Sequence, residues 1–249
     1  MTLKTLGLLL VLAITSIIVI FGQKERIVLN PLKMFDEDES ASDIDLRKEP
    51  PIKVALLVEP TPFGYVSGYQ NRFKELLHFL HRAGDEVQIL TPDNAPNPLR
   101  SFLGFPITVV RGFELPQYKT VTLSLDFELH TRRILRDFKP DVIHVASPGT
   151  LVVPAIFWSW IYNIPLVMSY HTNLPMYARV YVKIPFIYQL SNLVLRITHA
   201  FADLTLCTSS QLKADMESVG IERIDIWQKG INTEVEINPH QKKNSALLL

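Results

Sequence analysis

The chain has 249 residues, of which 47% are hydrophobic and 20% are charged, a composition that fits a globular body joined to a more apolar segment. Its 25 basic and 25 acidic residues leave no net charge, which argues against wholesale electrostatic binding of nucleic acid. The single cysteine, Cys207, excludes an internal disulfide and a cysteine-based zinc site, and its place at the end of an apolar run predicts a buried, inert thiol.

The first feature along the chain is an almost wholly apolar stretch at residues 6–22. Its length is close to the short end of those that cross a bilayer. Bulky Ile18, Ile20 and Phe21 stand where a signal peptidase needs small residues, so residues 1–23 are predicted to be an uncleaved anchor, with a removed signal as the alternative. The excess of basic residues after the stretch places the body on the cytoplasm-like side of the membrane.

Residues 24–51 are predicted to be a flexible linker. The part from 36 to 49 is acidic and has no apolar periodicity, and Pro50 and Pro51 close it. Such a composition is typical of a solvated tether, here between a membrane and a folded domain.

The globular part begins with a strand, a loop and a helix. Residues 54–58 form an apolar run typical of a strand buried on both faces, and Pro60, Pro62 and Gly64 then break the chain. The helix that follows has one apolar face: Phe73, Leu76, Leu77 and Leu80. Ligands of open α/β sheets bind beyond the carboxyl ends of the strands, so Gly68, just before the helix, is predicted to let an anion approach a backbone N–H. The alternative is that both glycines only shape a turn.

Strands and helices alternate over the rest of the chain. Further strands are predicted at residues 86–91, 107–110, 142–146, 166–170, 204–208 and 224–228. Helices are predicted at residues 127–138, 151–162, 186–202 and from a cap at Ser209 to about residue 219, where Gly220 stops the last one. This alternation is typical of a doubly wound, mostly parallel, Rossmann-like α/β sheet.

Polar side chains gather at the ends of the predicted strands, the edge at which a cleft forms. They are His144, Ser147, Ser169, His171, Thr172, Ser209, Ser210, Lys229 and Asn232. His171 lies just beyond its apolar run and is predicted to face the cleft, whereas His144 is either functional or a satisfied core histidine. The chain contains no nucleophile elbow, zinc-protease motif or Walker loop, so the residues alone indicate an α/β domain with a ligand cleft.

Six segments of the chain together resemble the acceptor-side, N-terminal domain of a GT-B glycosyltransferase of the retaining family 4. They read VALLVEPTPFGYVSGYQNRF, GDEVQILTP, FKPDVIHVASPG, IPLVMSYHTNLPMY, ADLTLCTSS and WQKGINTEVEINP. The likeness covers residues 52–239 and leaves 240–249 as a tail. It implies one half of a GT-B fold, a UDP-sugar as the donor substrate, and no metal or other cofactor. The PTPFGYVSGYQNRF segment is most similar to members that use UDP-sulfoquinovose and diacylglycerol, which implies a lipid acceptor and a plastid membrane.

The resemblance also implies roles for individual residues. It places Gly68 near the pyrophosphate of the donor and His171 beside the donor sugar, as the catalytic residue that stabilises developing charge or orients a hydroxyl. Ser147 and Gly149 would line the cleft, and the pair Lys229-Gly230 would mark the crossing to a second domain. Family members of this kind react at the front face of the donor without a protein nucleophile, which agrees with the absence of such a motif here.

The donor-binding half of the family has no matching sequence in these 249 residues. We therefore expect this polypeptide alone to have little or no transferase activity, because the groups that stabilise the leaving diphosphate belong to that half. The alternative from another class is a non-catalytic acceptor-binding module that partners a separate donor-binding domain.

Residues 177–196 interleave aromatic and basic side chains, as a segment on a membrane surface would. The pattern consists of Tyr177, Arg179, Tyr181, Lys183, Phe186 and Tyr188. The alternative is an ordinary helix with its lead-in loop, packed on the sheet.

Overall fold

A computed structural model describes residues 47, 49–64, 67–115, 118–124, 126–181 and 185–228 of the chain. Its strands are β1 (Lys53–Leu57), β2 (Glu86–Pro92), β3 (Ser101–Phe102), β4 (Phe105–Val110), β5 (Phe113–Leu115), β6 (Tyr118–Leu123), β7 (Val142–Ser147), β8 (Leu166–Tyr170), β9 (Leu204–Cys207) and β10 (Ile224–Ile226). Its helices are α1 (Gly68–Arg82), α2 (His130–Phe138), α3 (Val152–Tyr162), α4 (Leu174–Tyr181), α5 (Ile187–His199) and α6 (Ser210–Ser218).

Eight of these strands form one sheet in the order β10-β9-β8-β7-β1-β2-β4-β3. Neighbouring strands pair in parallel except β3, which runs antiparallel to β4. The chain leaves β1 towards β2 on one side and later continues with β7 on the other, so the strand order reverses at β1. The doubly wound, mostly parallel sheet is thereby confirmed, and its switch point lies between β1 and β7.

Helices cover both faces of the sheet because its strands are apolar on both sides. On one face, Phe73 and Leu77 of α1 pack against Val54, Leu56 and other residues of β1, β2 and β4. On the other face, α2 and α3 pack against the alternate residues of β1 and β7, with Ala155 of α3 fully buried. A third cluster joins α5 and α6 to the ends of β8, β9 and β10. Helices packed on both faces of the sheet thus fix the positions of the strand ends.

Strand β3 and the pair β5–β6 lie outside what the sequence patterns predict, whereas β4 contains the predicted strand at residues 107–110. The hairpin β3–β4 turns at Leu103 and Gly104, both with positive φ (51° and 84°), which is the geometry that two-residue hairpin turns require. The pair β5–β6 forms a separate two-stranded sheet. Strands of two or three residues are too short to show alternation, so periodicity does not reveal them.

The helix predicted to begin at residue 127 begins instead at His130. The buried carboxylate of Asp126 accepts hydrogen bonds from the N–H groups of His130 at 2.9 Å and Thr131 at 2.7 Å, so it satisfies the first turn at that point. Phe127 is left outside the helix and is 85% exposed.

Helix α4 is a further element absent from the sequence prediction. The Tyr170 hydroxyl accepts a hydrogen bond from the Leu174 N–H at 2.9 Å, and the Asn173 side chain accepts one from the Met176 N–H at 3.2 Å. Its first turn is therefore anchored by side chains at the end of β8.

The predicted anchor at residues 6–22 and the acidic part of the linker lie outside the described residues. Within the described ranges, none of the helices combines the length and the apolar character that crossing a bilayer requires.

Replacing Asp126 by Ala is expected to destabilise the protein by at least about 1 kcal/mol, because two N–H groups at the start of α2 lose their acceptor. Thermal or urea unfolding measures the change. The control is Glu128→Ala, which removes an exposed carboxylate 3.5 Å from the His130 ring and should change stability by less than about 0.5 kcal/mol. Equal effects of the two changes would contradict the assignment of Asp126 as the cap.

Candidate active site

The carboxyl ends of β7 and β8 meet helix α1 at the side chain of His171. This residue follows β8 directly, and its backbone N–H donates to the Ser147 carbonyl at 3.1 Å, which fixes it against the end of β7. Three rings surround the half-buried imidazole, with centroids at 5.0 Å (Tyr69), 5.2 Å (Phe73) and 5.6 Å (Trp227). Two of these rings come from α1, so the helix and the strand end form the pocket wall together.

Ser169 connects His171 to a second histidine. Its hydroxyl lies 2.9 Å from Nε2 of His171 and 2.9 Å from Nε2 of His144. A hydroxyl has one hydrogen to donate, so one imidazole accepts from Ser169 while the other donates to it, and the tautomers of the two histidines are linked. Nδ1 of His171 has no hydrogen-bond partner among the described residues, which leaves it available to a ligand. His144 is buried between Phe73 and Trp227, in agreement with the core alternative for this residue.

Burial keeps these histidines neutral. The pKa of His171 is lowered to about 3, chiefly by burial and in smaller part by the nearby His144 and Arg72 as potential positive charges. Burial likewise lowers the pKa of His144 to about 4. At physiological pH the pair therefore acts as hydrogen-bond donor and acceptor and carries no charge.

Helix α1 begins beside this pocket. The Ser67 hydroxyl caps it by accepting from the Gln70 N–H at 3.2 Å, and Gly68 is its first residue. One turn further, the guanidinium of Arg72 donates to the Trp227 carbonyl and lies 5.2 Å over the Trp227 ring. Burial lowers the pKa of Arg72. Gly68, Arg72 and Trp227 line one recess, the α1 recess, where a helix N-terminus and a cation lie close together; Glu75 lines the same recess.

A second, more open recess lies on the other side of His171, between the ends of β8 and β9. This β8–β9 recess has a volume of about 360 Å³, and most of its side chains are polar. They include Asp215, whose carboxyl group accepts hydrogen bonds from the side-chain amides of Gln211 at 3.0 Å and Asn173 at 3.5 Å. Such a lining suits a group with several hydroxyls.

The switch point between β1 and β7 is closed by a carboxyl that sequence reasoning did not identify. Glu59, directly after β1, is 2% exposed. It accepts hydrogen bonds from the Leu151 N–H at 2.5 Å, the Ser124 N–H at 3.1 Å and the Thr150 hydroxyl at 3.2 Å. Burial raises its pKa to about 7, against the opposing effect of these hydrogen bonds. Its position at the end of an apolar strand beside the switch point is the signal that would have singled it out.

Gly149 gives the Glu59 side chain its space. A Cβ added at Gly149 would approach Cγ of Glu59 to 2.8 Å and Cδ to 3.0 Å. The start of α3, where helix N–H groups could bind an anion, is thus occupied by the Glu59 side chain of the protein itself.

Ser147, the last residue of β7, is buried. Its hydroxyl lies 3.0 Å from Nε2 of His199, whose Nδ1 lies 3.0 Å from the Thr205 hydroxyl. Burial lowers the pKa of His199 to about 4, so this chain of side chains is also neutral. It connects the end of β7 to α5 and β9.

The described residues include four of the six predicted site residues, of which His171, Ser147 and Gly149 lie at the ends of β7 and β8 and Gly68 lies at the start of α1. Lys229 and Gly230 lie outside the described residues. The roles of all six residues in binding and catalysis stay predictions. In the described part of the chain, no three His, Cys, Asp or Glu side chains are grouped so as to hold a metal ion. Tyr69, Trp227 and Arg72 were not predicted, since the contacts of the first two with His171 and of Arg72 with Trp227 join distant parts of the sequence.

Comparison with known proteins assigns the domain. The structure defines the class of the domain: it is a Rossmann-like α/β domain with a candidate ligand pocket at the ends of β7 and β8. The sequence matches Glycosyltransferase Family 4 over residues 66–235, which include α1, β7, β8 and both recesses. The chain belongs to glycosyltransferase family 4.

Two curated relatives are similar to most of the chain. The sulfoquinovosyl transferase SQD2 of Arabidopsis thaliana is 35% identical over 212 residues, 82% of this chain and 41% of that protein. A GDP-mannose-dependent alpha-mannosyltransferase of Mycobacterium tuberculosis is 28% identical over 186 residues, 74% of this chain and 48% of that protein. The chain thus spans less than half the length of either relative.

Among solved structures, an alpha-glucosyltransferase in complex with UDP and a 13-mer DNA covers 73% of this chain and 43% of its own, with a TM-score of 0.41 and 11% identity. A likeness at this level adds nothing to the family assignment.

Gly149→Ala is expected to destabilise the protein by roughly 1–3 kcal/mol, because the added methyl group displaces the Glu59 side chain from its hydrogen bonds. Denaturant unfolding measures the difference. Gly68→Ala is the matched control, since a Cβ at that position meets no atom within 4 Å. If Gly149→Ala were as stable as Gly68→Ala, the close packing of Glu59 on Gly149 would be refuted.

Glu59 should make stability depend on pH. Its folded pKa of about 7 lies above the ordinary value of 4.5, so the folded state holds the proton more tightly. Protonated Glu59 therefore adds to the free energy of unfolding. This contribution is fully present below pH 4.5 and is lost as pH rises through 7. In unfolding experiments, the free energy of unfolding of the wild type should fall by about 3 kcal/mol relative to that of Glu59→Gln between these pH limits. The figure follows from about 1.4 kcal/mol per pKa unit. Parallel pH profiles for the two proteins would show that Glu59 does not titrate in this range.

Proposed function

We propose that this chain is the acceptor-side domain of a retaining glycosyltransferase that moves a hexosyl group from a UDP-sugar to a lipid. Family membership and the 35% identity to a sulfoquinovosyl transferase support this proposal. The finer proposal is that the donor is UDP-sulfoquinovose and the acceptor diacylglycerol. It is supported by the loop and helix start at residues 60–73, the segment most similar to such enzymes.

The observation that carries the proposal is the neutral, half-buried imidazole of His171. Its Nε2 is engaged by Ser169, while no described residue bonds to its Nδ1. Held rigidly by the rings of Tyr69 and Phe73, Nδ1 is suited to exchange a hydrogen bond with a hydroxyl of the donor sugar. A group that is already positioned stabilises developing charge without reorganising at the moment of reaction.

The start of α1 supplies the electrostatic part of the proposal. Gly68 has no side chain to keep a phosphate from the helix N-terminus, and Arg72 brings a positive charge to the same recess. A diphosphate in this position would lie beside His171. The β8–β9 recess, on the other side of His171, would then receive the polar head of the acceptor.

Activity is proposed for the whole protein, in which a donor-binding half completes the cleft. Residues 6–22 would attach it to a membrane, and the resemblance points to a plastid membrane. In this scheme the UDP-sugar is the donor substrate, and the proposed reaction uses no metal or other cofactor.

The test joins residues 1–235 of this chain to the part of the Arabidopsis relative that the chain does not span. With UDP-sulfoquinovose and diacylglycerol, the fusion should form labelled glycolipid. His171→Ala should lower the rate by about a hundredfold or more, because a positioned hydrogen bond to the reacting sugar is lost. The control is His81→Ala, an exposed histidine in the last turn of α1, which should leave the rate unchanged.

The outcomes separate the candidate functions. Transfer to another lipid or from another UDP-sugar would keep the enzyme class and replace the finer proposal. A folded fusion that binds diacylglycerol but transfers no sugar would favour the acceptor-binding module. Full activity of the His171→Ala protein would contradict the role of this residue.

A further inference from the structure

Helix α5 has a buried stripe on one side and an exposed apolar stripe on the opposite side. Its inward stripe consists of Ser191, Leu195 and His199, which are buried against the sheet. A second stripe, at Phe186, Leu190 and residues 193–194, follows the spacing i, i+4, i+7 and i+8 on the outward side. Phe186 is 77% exposed, Leu190 55% and Val194 49%. A surface helix that needed only the sheet as its partner would carry polar residues on this side.

Helix α4 extends the same apolar surface. Val180 and Tyr181 are more than half exposed, and the ring of Tyr181 stacks on that of Tyr177 with centroids 6.0 Å apart. Arg179 lies 5.8 Å over the ring of Tyr188, which joins the two helices. We call this surface the α4–α5 face, and its members are Val180, Tyr181, Phe186, Leu190, Leu193 and Val194.

The charges of this segment have one sign. Residues 174–200 contain no Asp or Glu, although the chain as a whole has as many acidic as basic residues. Arg179 and Arg196 are both exposed. Exposed aromatic rings at the border of an apolar face, together with basic residues, are what the interface of an anionic bilayer selects.

The α4–α5 face is also continuous with the candidate active site. Tyr177 of α4 lines the β8–β9 recess together with His171. We propose that the α4–α5 face rests on an anionic lipid bilayer, so that the β8–β9 recess opens at the membrane surface and a lipid acceptor reaches His171 without leaving the bilayer. This inference rests on the proposed lipid acceptor. The apolar residues enter the headgroup region, and the arginines pair with lipid phosphates.

The test uses the full chain with one environment-sensitive fluorophore on a cysteine introduced by Leu190→Cys. Cys207 is the only native cysteine and is buried, so unmodified protein is the labelling control. The matched position is Phe79→Cys, which is 49% exposed in wild type but lies on α1, on the opposite face of the sheet. Vesicles of equal parts phosphatidylcholine and phosphatidylglycerol, with and without nitroxide-labelled chains, are then added.

The label at position 190 should shift to shorter wavelength and be quenched by the nitroxide lipids, while the label at 79 stays water-exposed. Because quenching reports on the labelled surface itself, attachment through residues 6–22 does not produce it. Arg179→Glu should lower the quenched fraction about fivefold or more, since each basic residue near an anionic surface contributes about 1 kcal/mol. Arg82→Glu on α1, whose guanidinium also lies over an aromatic ring, should not lower it.

Three results would overturn the inference. The first is equal quenching of the labels at 190 and 79. The second is a spectral shift at 190 that depends on protein concentration without vesicles, which would show a second copy on the face. The third is a shifted but unquenchable label in dilute protein, which would show that residues 6–22 cover the face. The experiment contains no sugar donor, so its failure leaves the transfer proposal standing, and loss of transfer in His171→Ala leaves membrane contact unaffected.

Discussion

The buried carboxyl of Glu59 is the interaction on which the geometry of the pocket depends. It lies where the strand order reverses, and it holds the loop after β6 through Ser124 and the start of α3 through Leu151. Without it, those backbone N–H groups would be buried without a partner, which is costly at a site closed to water. Gly149 belongs to the same arrangement because only a residue without a side chain leaves room for the carboxyl. A glycine that sequence motifs associate with ligand binding thus has a structural reason here.

Burial also decides the chemistry of His171. The rings of α1 exclude water from its imidazole and hold it neutral, and Ser169 couples it to a second neutral histidine. A cationic histidine in this position would repel Arg72, whereas a neutral one tolerates the arginine and still presents a hydrogen-bonding nitrogen. The same helix that buries His171 also brings Gly68 and Arg72 to the cleft. One packing contact, α1 on the ends of β7 and β8, therefore places both the neutral and the charged parts of the site.

The two recesses and the α4–α5 face differ in charge and polarity along the edge of the sheet. The α1 recess combines a helix N-terminus with the cation Arg72, and Glu75 also lines it. The β8–β9 recess is polar and open, and the α4–α5 face beside it is apolar and basic. His171 lines the β8–β9 recess, and its ring packs on Trp227, which lines the α1 recess, so ligands in the two recesses would both lie near its imidazole.

The sequence by itself determined the family, the alternation of strands and helices, and the edge at which the site forms. Apolar runs such as residues 54–58 and the helical spacing from Phe73 to Leu80 report burial locally, because the periods of strands and helices are short compared with the segments. His171 was predicted as a site residue because it follows such a run and Gly68 because it precedes such a helix, and Ser209 caps its helix as its position predicts.

Only the tertiary structure decided what depends on partners far apart in sequence. Asp126 displaced the start of α2, Glu59 occupied the space beside Gly149, and Ser147 turned towards His199. Strand β3, the pair β5–β6 and helix α4 likewise gave no periodic signal of sufficient length. The outward stripe of α5 is visible as apolar residues in the sequence, but its exposure is not, because the pattern of an all-round apolar helix is the same whether it is buried or left at the surface. The spacing of apolar residues along the chain is a local property, whereas the hydrogen-bond partner of a side chain and its access to water are set by the packing of the whole chain.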